Sequence, residues 1–437
     1  MSSPSSVTLE KIVALCKRKG FVFPAAEIYG GLNGVYDFGP LGVLLKERIR
    51  QLWMNSLYND KGDIVFLEGS LLGPQAMWDA SGHTQNFHDP MVDCLNCKHR
   101  YRADHIDLQK ACAHCGQTKW TEPRDFNMMF QTNLGAAAEH AATAYLRPES
   151  AQTIFVNFKQ VISSSRVKIP FGIAQVGKAF RNEITPKQFL FRMREFEQME
   201  LEWFCKPEST AEFFTFWQEK RLAFYELLGI KKENLQIRTH AAQELAHYAK
   251  QTNDIEYRFP FGWKELEGIA DRGDFDLQQH SQHSGKELAV YNEAEKKSYV
   301  PHVIECSVGV DRLLLSVLFD AYCEDNVDGE MRTVLKFSPL IAPIKAAFFP
   351  LTKKQTPAMR ALYTEIQQKT GFALQFDESG SIGKRYRRQD EIGTPFCFTY
   401  DFESESDQQV TVRNRDSTEQ ERIAIDRIAQ YLIDHIK

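Results

Sequence analysis

The spacing of hydrophobic positions predicts a mixture of helices and strands in the first three quarters of the chain. From Leu41 to Leu57, after the Gly39-Pro40 break, apolar residues recur every three or four positions, which predicts a helix. Asp63–Gly69 follows as a predicted strand. Gly172–Phe180 and Arg194–Phe204 are longer strand-like runs joined by a polar connection, which is typical of an antiparallel hairpin. These elements do not alternate as strand, helix and strand, which is the order typical of a parallel sheet.

The same patterning continues to the end of this region. Thr210–Leu228 is predicted as an amphipathic helix, and Tyr257–Phe261 and Trp263–Asp271 as a strand pair. His302–Val308 is predicted as a strand that runs directly into a helix over Gly309–Phe319.

A segment with two prolines, residues 337–343, predicts a domain boundary, with one domain over 1–338 and a second over 339–437. Beyond it strands and helices alternate, which is typical of a small α/β domain. The predicted strands are Ala346–Pro350, Phe372–Phe376, Pro395–Tyr400 and Gln409–Asn414, and the predicted helices are Thr356–Thr370, Ser381–Glu391 and Glu419–Ile436.

Charge and composition narrow the class of protein. With 53 basic and 58 acidic residues among 437, the formal net charge is −5, which argues against wrapping of nucleic acid by bulk charge but allows a local basic patch. No apolar run approaches the roughly 18 residues of a membrane span, and Met1–Ser6 is a short polar tail without a signal sequence. A cytoplasmic protein with no membrane partner is therefore expected.

Four of the nine cysteines form two close pairs. Cys94-x2-Cys97 and Cys112-x2-Cys115 can aim four thiolates at one ion, which predicts a structural Zn²⁺ site in an insertion over residues 91–123. Two alternatives are thiol pairs without metal and a redox CxxC. The polar surroundings, rich in histidine and lysine, favour zinc.

Arginines cluster around the predicted hairpin. Arg181 ends its first strand, and Arg192 and Arg194 lie at the start of its second. Arg312 lies in the first turn of the helix that Gly309 opens, close to the positive end of the helix dipole. Convergent guanidinium groups suit a polyphosphate ligand, although surface salt bridges to neighbouring glutamates are an alternative.

Acidic and polar residues share faces of two predicted strands. The strand period of two places Glu305 and Ser307 on one face, and Phe196, Gln198 and Glu200 on one face of the hairpin. Arginines beside glutamates suit a bipolar ligand, with phosphates at one end and an ammonium group or Mg²⁺ at the other. Alternatively, the glutamates only balance the arginines.

These residues resemble a known class of enzymes. Phe180-Arg-Asn-Glu183, Gly309-Val-Asp-Arg312 and the helix and strand over 41–69 resemble motifs 2, 3 and 1 of class II aminoacyl-tRNA synthetases. Within that class the chain is similar to the glycyl-tRNA synthetase family of the homodimeric type, from about residue 8 to the end. The stretches that carry this resemblance are 23–42, Tyr145-Leu-Arg-Pro-Glu149, Arg194–Glu200, Gly268-Ile-Ala-Asp-Arg272 and Gly383–Pro395.

The resemblance implies an α+β fold. Its catalytic domain would be a class II antiparallel sheet flanked by helices, carrying the zinc-knuckle insertion, and the C-terminal α/β domain would bind the anticodon. It also implies a homodimer, formed through the motif 1 helix and strand.

The resemblance assigns roles to individual residues. Arg181, Glu183 and Arg312 would be catalytic. The implied ATP site comprises Arg181, Asn182, Glu183, Phe191, Arg192, Met193, Arg194, Glu195, Phe196, Glu265, Leu266, Gly309, Val310, Asp311 and Arg312. The implied substrate site comprises Arg102, Glu149, Phe196, Glu197, Gln198, Met199, Glu200, Glu305, Cys306, Ser307, Val308 and Gly309, with Cys306 where the family usually has proline.

A basic run marks the implied anticodon domain. Lys384-Arg-Tyr-Arg-Arg388 places four cations and one aromatic ring within a turn and a half of helix. The resemblance makes Lys384, Arg385, Arg387 and Arg388 candidate tRNA contacts, and the alternative is a solvated basic face.

The implied function is attachment of glycine to tRNA(Gly) through a glycyl-adenylate, with ATP, Mg²⁺ and a structural Zn²⁺. Two other classes compete: a catalytically inactive synthetase-like accessory or RNA-binding protein, and a zinc-ribbon nucleic-acid-binding protein. The motif arginines and pocket glutamates are all present, which argues against the first, and the net acidic charge argues against the second.

Overall fold

The computed structural model describes residues 7–58, 62–103, 106–135, 142–327 and 329–436. The predicted polar tail at residues 1–6 lies outside these ranges. No helix in the described ranges has both the length and the apolar character needed to cross a bilayer.

The described residues form twelve α-helices. They are α1 (Leu9–Lys19), α2 (Pro40–Leu57), α3 (Gln75–Ala80), α4 (His83–Asn86), α5 (Ala151–Ser165), α6 (Thr210–Leu227), α7 (Phe275–Ser284), α8 (Val310–Ala321), α9 (Thr356–Thr370), α10 (Ile382–Ile392), α11 (Ser404–Asp407) and α12 (Ile428–His435).

The strands of the described part belong to seven sheets. They are β1 (Val22–Pro24), β2 (Tyr36–Phe38), β3 (Ile64–Phe66), β4 (Leu72–Pro74), β5 (His88–Asp93), β6 (Arg100–Arg102), β7 (Arg124–Asn127), β8 (Gln131–Leu134), β9 (Ala142–Leu146), β10 (Phe171–Phe180), β11 (Glu195–Cys205), β12 (Leu235–Thr239), β13 (Gln251–Phe259), β14 (Gly262–Gly273), β15 (Val290–Asn292), β16 (Lys297–Tyr299), β17 (His302–Gly309), β18 (Tyr322–Val327), β19 (Glu330–Leu335), β20 (Ala346–Pro350), β21 (Leu374–Phe376), β22 (Phe396–Tyr400), β23 (Gln409–Asn414) and β24 (Gln420–Ala424).

A seven-stranded sheet dominates the larger domain, in the order β12-β13-β14-β17-β11-β10-β3. Its pairs are antiparallel except for β10 with β3. The predicted hairpin is confirmed: β10 and β11 pair from Phe171 opposite Phe204 to Phe180 opposite Glu195. The predicted strand over 63–69 is shorter than expected, since only β3 pairs with β10.

The two faces of this sheet have different environments because side chains alternate along each strand. Met199, Leu201 and Trp203 of β11 pack into the main hydrophobic core with α2, α6 and α8. Phe204, on the opposite face, belongs to a second core with residues of α5 and α7. Glu200 lies on the same face as Phe204, but nearer the start of β11, where this face lines a cleft instead of a core.

The smaller C-terminal domain has a five-stranded sheet in the order β21-β20-β22-β23-β24, packed on α9 and α12. The predicted continuous helix over 419–436 is wrong in its first part. Gln420–Ala424 instead pairs antiparallel with β23, and the helix begins at Ile428. The ladder to β23 and the partly buried Ile423 outweigh local helix propensity.

Candidate active site

A cleft of about 400 Å³ lies on the open face of the large sheet. Side chains from β11, β14 and β17 form its floor, because alternate residues of neighbouring antiparallel strands point to the same side. Most residues predicted for the ATP and substrate sites line it: Glu149, Arg181, Glu183, Phe191, Arg192, Met193, Phe196, Gln198, Glu200, Glu265, Glu305, Ser307, Gly309, Asp311 and Arg312.

Glu200 occupies the buried floor of the cleft. Ser150 Oγ donates a hydrogen bond to one carboxylate oxygen, and Ser307 Oγ and Gln198 Nε2 donate to the other at 2.9 Å each. Burial and the nearby Glu305 carboxylate raise the pKa of Glu200 to about 7. This carboxyl group therefore changes charge close to neutral pH.

Arg272 anchors the acidic wall beside Glu200. Its Nε and Nη2 atoms donate to the two carboxylate oxygens of Asp276 at 2.7 and 2.8 Å, and its Nη1 atom donates to Glu305. The guanidinium also stacks 3.7 Å from the ring centroid of Tyr248. Glu305 is thus held by a buried arginine, although burial outweighs that arginine and raises the pKa of Glu305.

Glu149 closes the other side of this pocket. His83 Nε2 lies 3.3 Å from one of its oxygens, and Gln152 Nε2 donates to the other at 3.1 Å. Burial alone would raise the pKa of Glu149, but His83 and Arg272 outweigh burial and lower the pKa. The pocket therefore contains at least one carboxylate that stays ionised.

Glu202 is a second acidic residue on the same face of β11. It lies directly opposite Glu305 on β17 and is fully buried. Neither carboxylate oxygen has a hydrogen-bond partner among the described residues. Burial, and then the charge of Glu305, raise the pKa of Glu202 well above its usual value, which favours the neutral form of this acid beneath the pocket.

Arg181 lies where the acidic pocket opens into the wider cleft. Its guanidinium is 5.3 Å from the ring centroids of both Phe87 and Phe196, and its Nε atom donates to the Pro148 carbonyl at 3.0 Å. Aromatic contacts on two sides hold the guanidinium while leaving its terminal nitrogens available to an anion.

Arg312 lies at the opposite end of the cleft. Its guanidinium stacks 4.4 Å from the ring centroid of Phe191, and its Nη1 atom donates to the Glu265 carbonyl at 2.9 Å. The Glu265 carboxylate is 3.3 Å from the same nitrogen. Arg181, Arg192 and Arg312 thus give the cleft three guanidinium groups outside the acidic pocket.

Glu197 was predicted to bind substrate, but its side chain points to the other face of β11. It forms a buried ion pair with Lys46 of α2 at 2.8 Å, and Lys46 also pairs with Asp311 at 2.8 Å. The Asp311 carboxylate in turn accepts the Glu197 backbone N–H at 2.7 Å. This cluster joins α2, β11 and α8, so Glu197 supports the cleft from behind.

Five further predicted residues are corrected as well. Their side chains lie in the main hydrophobic core. Four of them lie in strands next to a cleft-facing residue, so alternation turns them away, whereas Val310 is the first residue of α8 and is fully buried. The five residues are Met199, Leu266, Cys306, Val308 and Val310. Cys306 therefore places its side chain behind the pocket.

Four other predicted residues do not line the cleft. Arg194 donates from Nε to the Glu183 carbonyl at 2.9 Å and from Nη1 to the Asn33 carbonyl, which fixes the loop between β10 and β11. Glu195 pairs with Lys178 at 2.8 Å, and Arg102 with Asp89 at 2.8 Å. The remaining one is Asn182, whose backbone N–H donates to the Met128 carbonyl at 2.7 Å.

Several cleft residues were not predicted as site residues. His240, Glu244, Tyr248, Thr252 and Asp254 line the cleft from one segment, in which His240 Nε2 lies 2.7 Å from Asp254 Oδ2. Most of this segment is irregular, so it has no hydrophobic period to indicate its position. Arg272 lies in one of the stretches that carry the family resemblance, but only its contacts in the fold reveal its role.

The four predicted metal ligands come together in the insertion. The Sγ atoms of Cys94, Cys97, Cys112 and Cys115 lie within 4.8 Å of one another. The Cys94–Cys115 and Cys97–Cys112 sulfur distances are 3.5 and 3.7 Å. A zinc–sulfur bond of about 2.3 Å gives tetrahedron edges of about 3.8 Å, so this donor set fits a four-thiolate zinc site.

The basic run of the C-terminal domain is only partly available to a ligand. Arg385 is 5% exposed and donates to the carbonyls of Pro350, Glu378 and Gly380. Its prediction as a tRNA contact is corrected, since the guanidinium is buried inside the domain. Lys384 is exposed, whereas Arg387 and Arg388 are half-buried and pair with Glu330 at 3.4 Å and with Asp377 at 2.6 Å.

Comparison with known proteins places the chain in a family. Residues 130–321 match the model of the class II tRNA synthetase core domain (G, H, P, S and T), and residues 341–435 match that of the anticodon binding domain. A glycine–tRNA ligase of Caldanaerobacter subterraneus subsp. tengcongensis is 48% identical, and the alignment covers 99% of this chain and 100% of that protein. The chain belongs to the glycine–tRNA ligase family.

Other glycine–tRNA ligases give the same result. Those of Clostridium acetobutylicum and Cutibacterium acnes are 48% and 47% identical, and each alignment covers 98% of this chain. They cover 99% and 96% of the two relatives. The predicted family, the class II fold and the assignment as an aminoacyl-tRNA synthetase are confirmed, and an inactive relative is not favoured.

Proposed function

We propose that this glycine–tRNA ligase activates glycine with ATP as glycyl-adenylate and transfers it to tRNA(Gly). The observation that carries the proposal is one continuous cleft with two chemically distinct ends. Glu149, Glu200 and Glu305 line the same cleft as Arg181, Arg192 and Arg312.

The acidic end suits the ammonium group of glycine. Ionised Glu149 and Glu200 attract a cation, while Ser307 and Arg272 fix the positions of Glu200 and Glu305. Because hydrogen bonds from neighbouring side chains hold these carboxylates in place, the pocket could select the smallest amino acid by excluding larger side chains.

The arginine end suits ATP. Arg181 is positioned for the α-phosphate, and Arg192 and Arg312 for the phosphate tail, while Phe196 offers a face for the adenine ring and Glu183 an acceptor for its amino group. When bound with ATP, Mg²⁺ would supply further charge neutralisation, and Glu265 and Glu305 are candidate oxygen ligands.

Catalysis requires no nucleophile from the protein. The glycine carboxylate attacks the α-phosphorus, the bond to the bridging oxygen breaks, and pyrophosphate leaves. Positioning of the two substrates and stabilisation of developing charge by Arg181 and Arg312 lower the barrier. A hydroxyl of the 3′-terminal ribose of tRNA(Gly) would then attack the glycyl carbonyl carbon, the bond to the phosphate oxygen breaks, and AMP leaves.

Other parts of the chain support this function. The C-terminal domain would bind the anticodon arm, with Lys384, Arg387 and Arg388 as candidate phosphate contacts. The four cysteines would hold a structural Zn²⁺, and α2 with β3 would form the interface of a homodimer. The expected location is the cytoplasm, where tRNA is charged.

The direct test is glycine-dependent exchange of labelled pyrophosphate into ATP, followed by charging of a tRNA(Gly) transcript. Alanine and serine, each tested in place of glycine, are the control amino acids and should support little exchange. Absence of glycine-dependent exchange in folded protein supplied with Mg²⁺ and Zn²⁺ would contradict the proposal.

A further inference from the structure

The C-terminal domain has a second cavity, away from the cleft. It is a surface groove of about 470 Å³ between α9 and β21. We call it the 360–379 groove, after Arg360 and Tyr363 of α9, Phe376 of β21 and the loop that continues to Ser379.

Flat, partly exposed groups form one wall of this groove. The guanidinium of Arg360 stacks 4.2 Å from the ring centroid of Phe376, and its side chain is 56% exposed. Tyr363 packs edge-on against Phe376, with ring centroids 6.0 Å apart. Guanidinium planes and aromatic faces are the surfaces on which proteins stack unpaired RNA bases.

Polar groups lie beside this stack. β21 is the edge strand of its sheet, and its Gln375 side chain is exposed. The Glu378 carboxylate accepts a hydrogen bond from Thr356 Oγ1 at 2.9 Å and lies 3.5 Å from Arg360, yet stays 45% exposed. A base stacked on Arg360 would therefore have a carboxylate within reach of its edge, which favours a base with an amino group.

Two arginines of the basic run hold the loop in place. The buried Arg385 donates to the carbonyls of Glu378 and Gly380 at 3.1 and 2.8 Å. Arg388 donates two hydrogen bonds to Asp377, at 2.9 and 2.6 Å. The loop is thus preorganised, which lowers the entropic penalty of binding.

Cations border the same loop. Gly380 directly follows Ser379, the last residue that lines the groove, and a Cβ built on Gly380 would lie 3.9 Å from Lys384 Cδ and 4.0 Å from Arg388 Nη1. The exposed part of the basic run therefore lies beside the loop that borders the groove, which puts flat groups for a base close to cations for the adjoining phosphate.

We propose that the 360–379 groove holds one unpaired, amino-bearing base of the tRNA anticodon loop, stacked on the Arg360 guanidinium that Phe376 supports from behind, with a neighbouring phosphate at Lys384. This inference rests on the proposed function and deepens it, since it assigns recognition of a base to α9 and β21 and leaves the phosphate contacts to the basic run.

The test is binding of a fluorescent RNA hairpin that carries the anticodon stem and loop of tRNA(Gly). Arg360→Ala and Phe376→Leu should each weaken binding by about 5- to 100-fold, while Phe376→Trp, which keeps a ring, should retain most of it. Arg427→Ala is the matched control, since Arg427 is an exposed arginine of the same domain outside the groove.

Two further measurements separate stacking from charge. Phe376→Leu should leave the salt dependence of binding unchanged, whereas Lys384→Ala should reduce its logarithmic slope by about 0.7. A hairpin with an abasic loop should bind weakly and show no further loss with Arg360→Ala. If Arg360→Ala weakened binding of the abasic hairpin by the same factor as binding of the intact hairpin, Arg360 would act only as a charge. That result would overturn the inference.

Wild-type affinity in Arg360→Ala would also overturn it, and this exposed position does not endanger folding. Phe376→Leu is interpreted only if its melting temperature matches that of Phe376→Trp. Glycine-dependent pyrophosphate exchange should be unchanged in every variant. Absence of exchange in the wild type would refute the proposed function. Normal exchange, together with wild-type hairpin affinity in the groove variants, would refute only the proposal that the 360–379 groove binds a base.

Discussion

Glycine affinity should depend on pH through Glu200. Burial and the neighbouring Glu305 raise the pKa of this carboxyl to about 7, and the ammonium group of glycine favours its ionised form. With that pKa, roughly 10% of Glu200 is ionised at pH 6 and roughly 90% at pH 8, so the apparent affinity for glycine should rise about tenfold between them.

Replacing Glu200 with glutamine separates this effect from other titrations. The variant keeps the shape of the side chain and one acceptor oxygen, but it removes the charge and replaces the second acceptor oxygen with an NH2 donor. Loss of one charge-assisted hydrogen bond to the ammonium group should raise the glycine KM at pH 8 by about 10- to 100-fold, with little change in the ATP KM. The dependence of the glycine KM on pH between 6 and 8 should largely disappear.

Stability gives an independent check with a definite sign. A carboxyl whose pKa is raised in the fold contributes stability at low pH that is lost as the pH rises from about 4.5 to about 7. Without glycine, Glu200→Gln should therefore be at least as stable as the wild type at pH 8. Glycine should raise the melting temperature of the wild type more at pH 8 than at pH 6.

The assay is glycine-dependent pyrophosphate exchange across this pH range, with thermal melting in parallel. Glu212→Gln, on an exposed position of α6, is the matched control and should behave as the wild type. A glycine KM that is independent of pH in the wild type, or unchanged in Glu200→Gln, would refute the reasoning.

Three further outcomes are expected. Arg181→Ala and Arg312→Ala should each slow glycine activation by about 100-fold or more, and near-normal exchange in either would remove its assignment to the phosphates. Cys97→Ser should lower the zinc content of purified protein and destabilise the insertion, and a wild-type zinc content would count against the four-thiolate site. Light scattering should give twice the 50.3 kDa mass of one chain, whereas a concentration-independent mass near 50 kDa would exclude the dimer.

The elements that the sequence predicted well are those in which apolar residues recur at a regular spacing. The hairpin of β10 and β11 and the helix α8 have long, regular apolar patterns, so their bounds differ from the predictions by only one or two residues. The strand period also explains why Glu200 and Ser307 meet while Glu197 and Val308 turn away. The family motifs span consecutive residues and do not distinguish these two faces.

Features that depend on distant contacts were not predictable. Arg385 has the sequence environment of a surface cation, but it is buried because carbonyls from residues 350, 378 and 380 surround it in the fold. Gln420–Ala424 forms a strand because β23 lies beside it. The cleft residues between 240 and 254 come from a largely irregular segment, whose position depends on packing rather than on a local pattern.

The central strand β11 limits how the substrate range of this enzyme can be changed. Its Glu200 face forms the pocket floor, while its Met199 and Leu201 face is part of the main core. A substitution that moves this strand to admit a larger amino acid would therefore disturb the packing of three helices. Directed evolution toward alanine should instead accumulate changes in the segment that carries Tyr248, because that segment borders the pocket without belonging to the core.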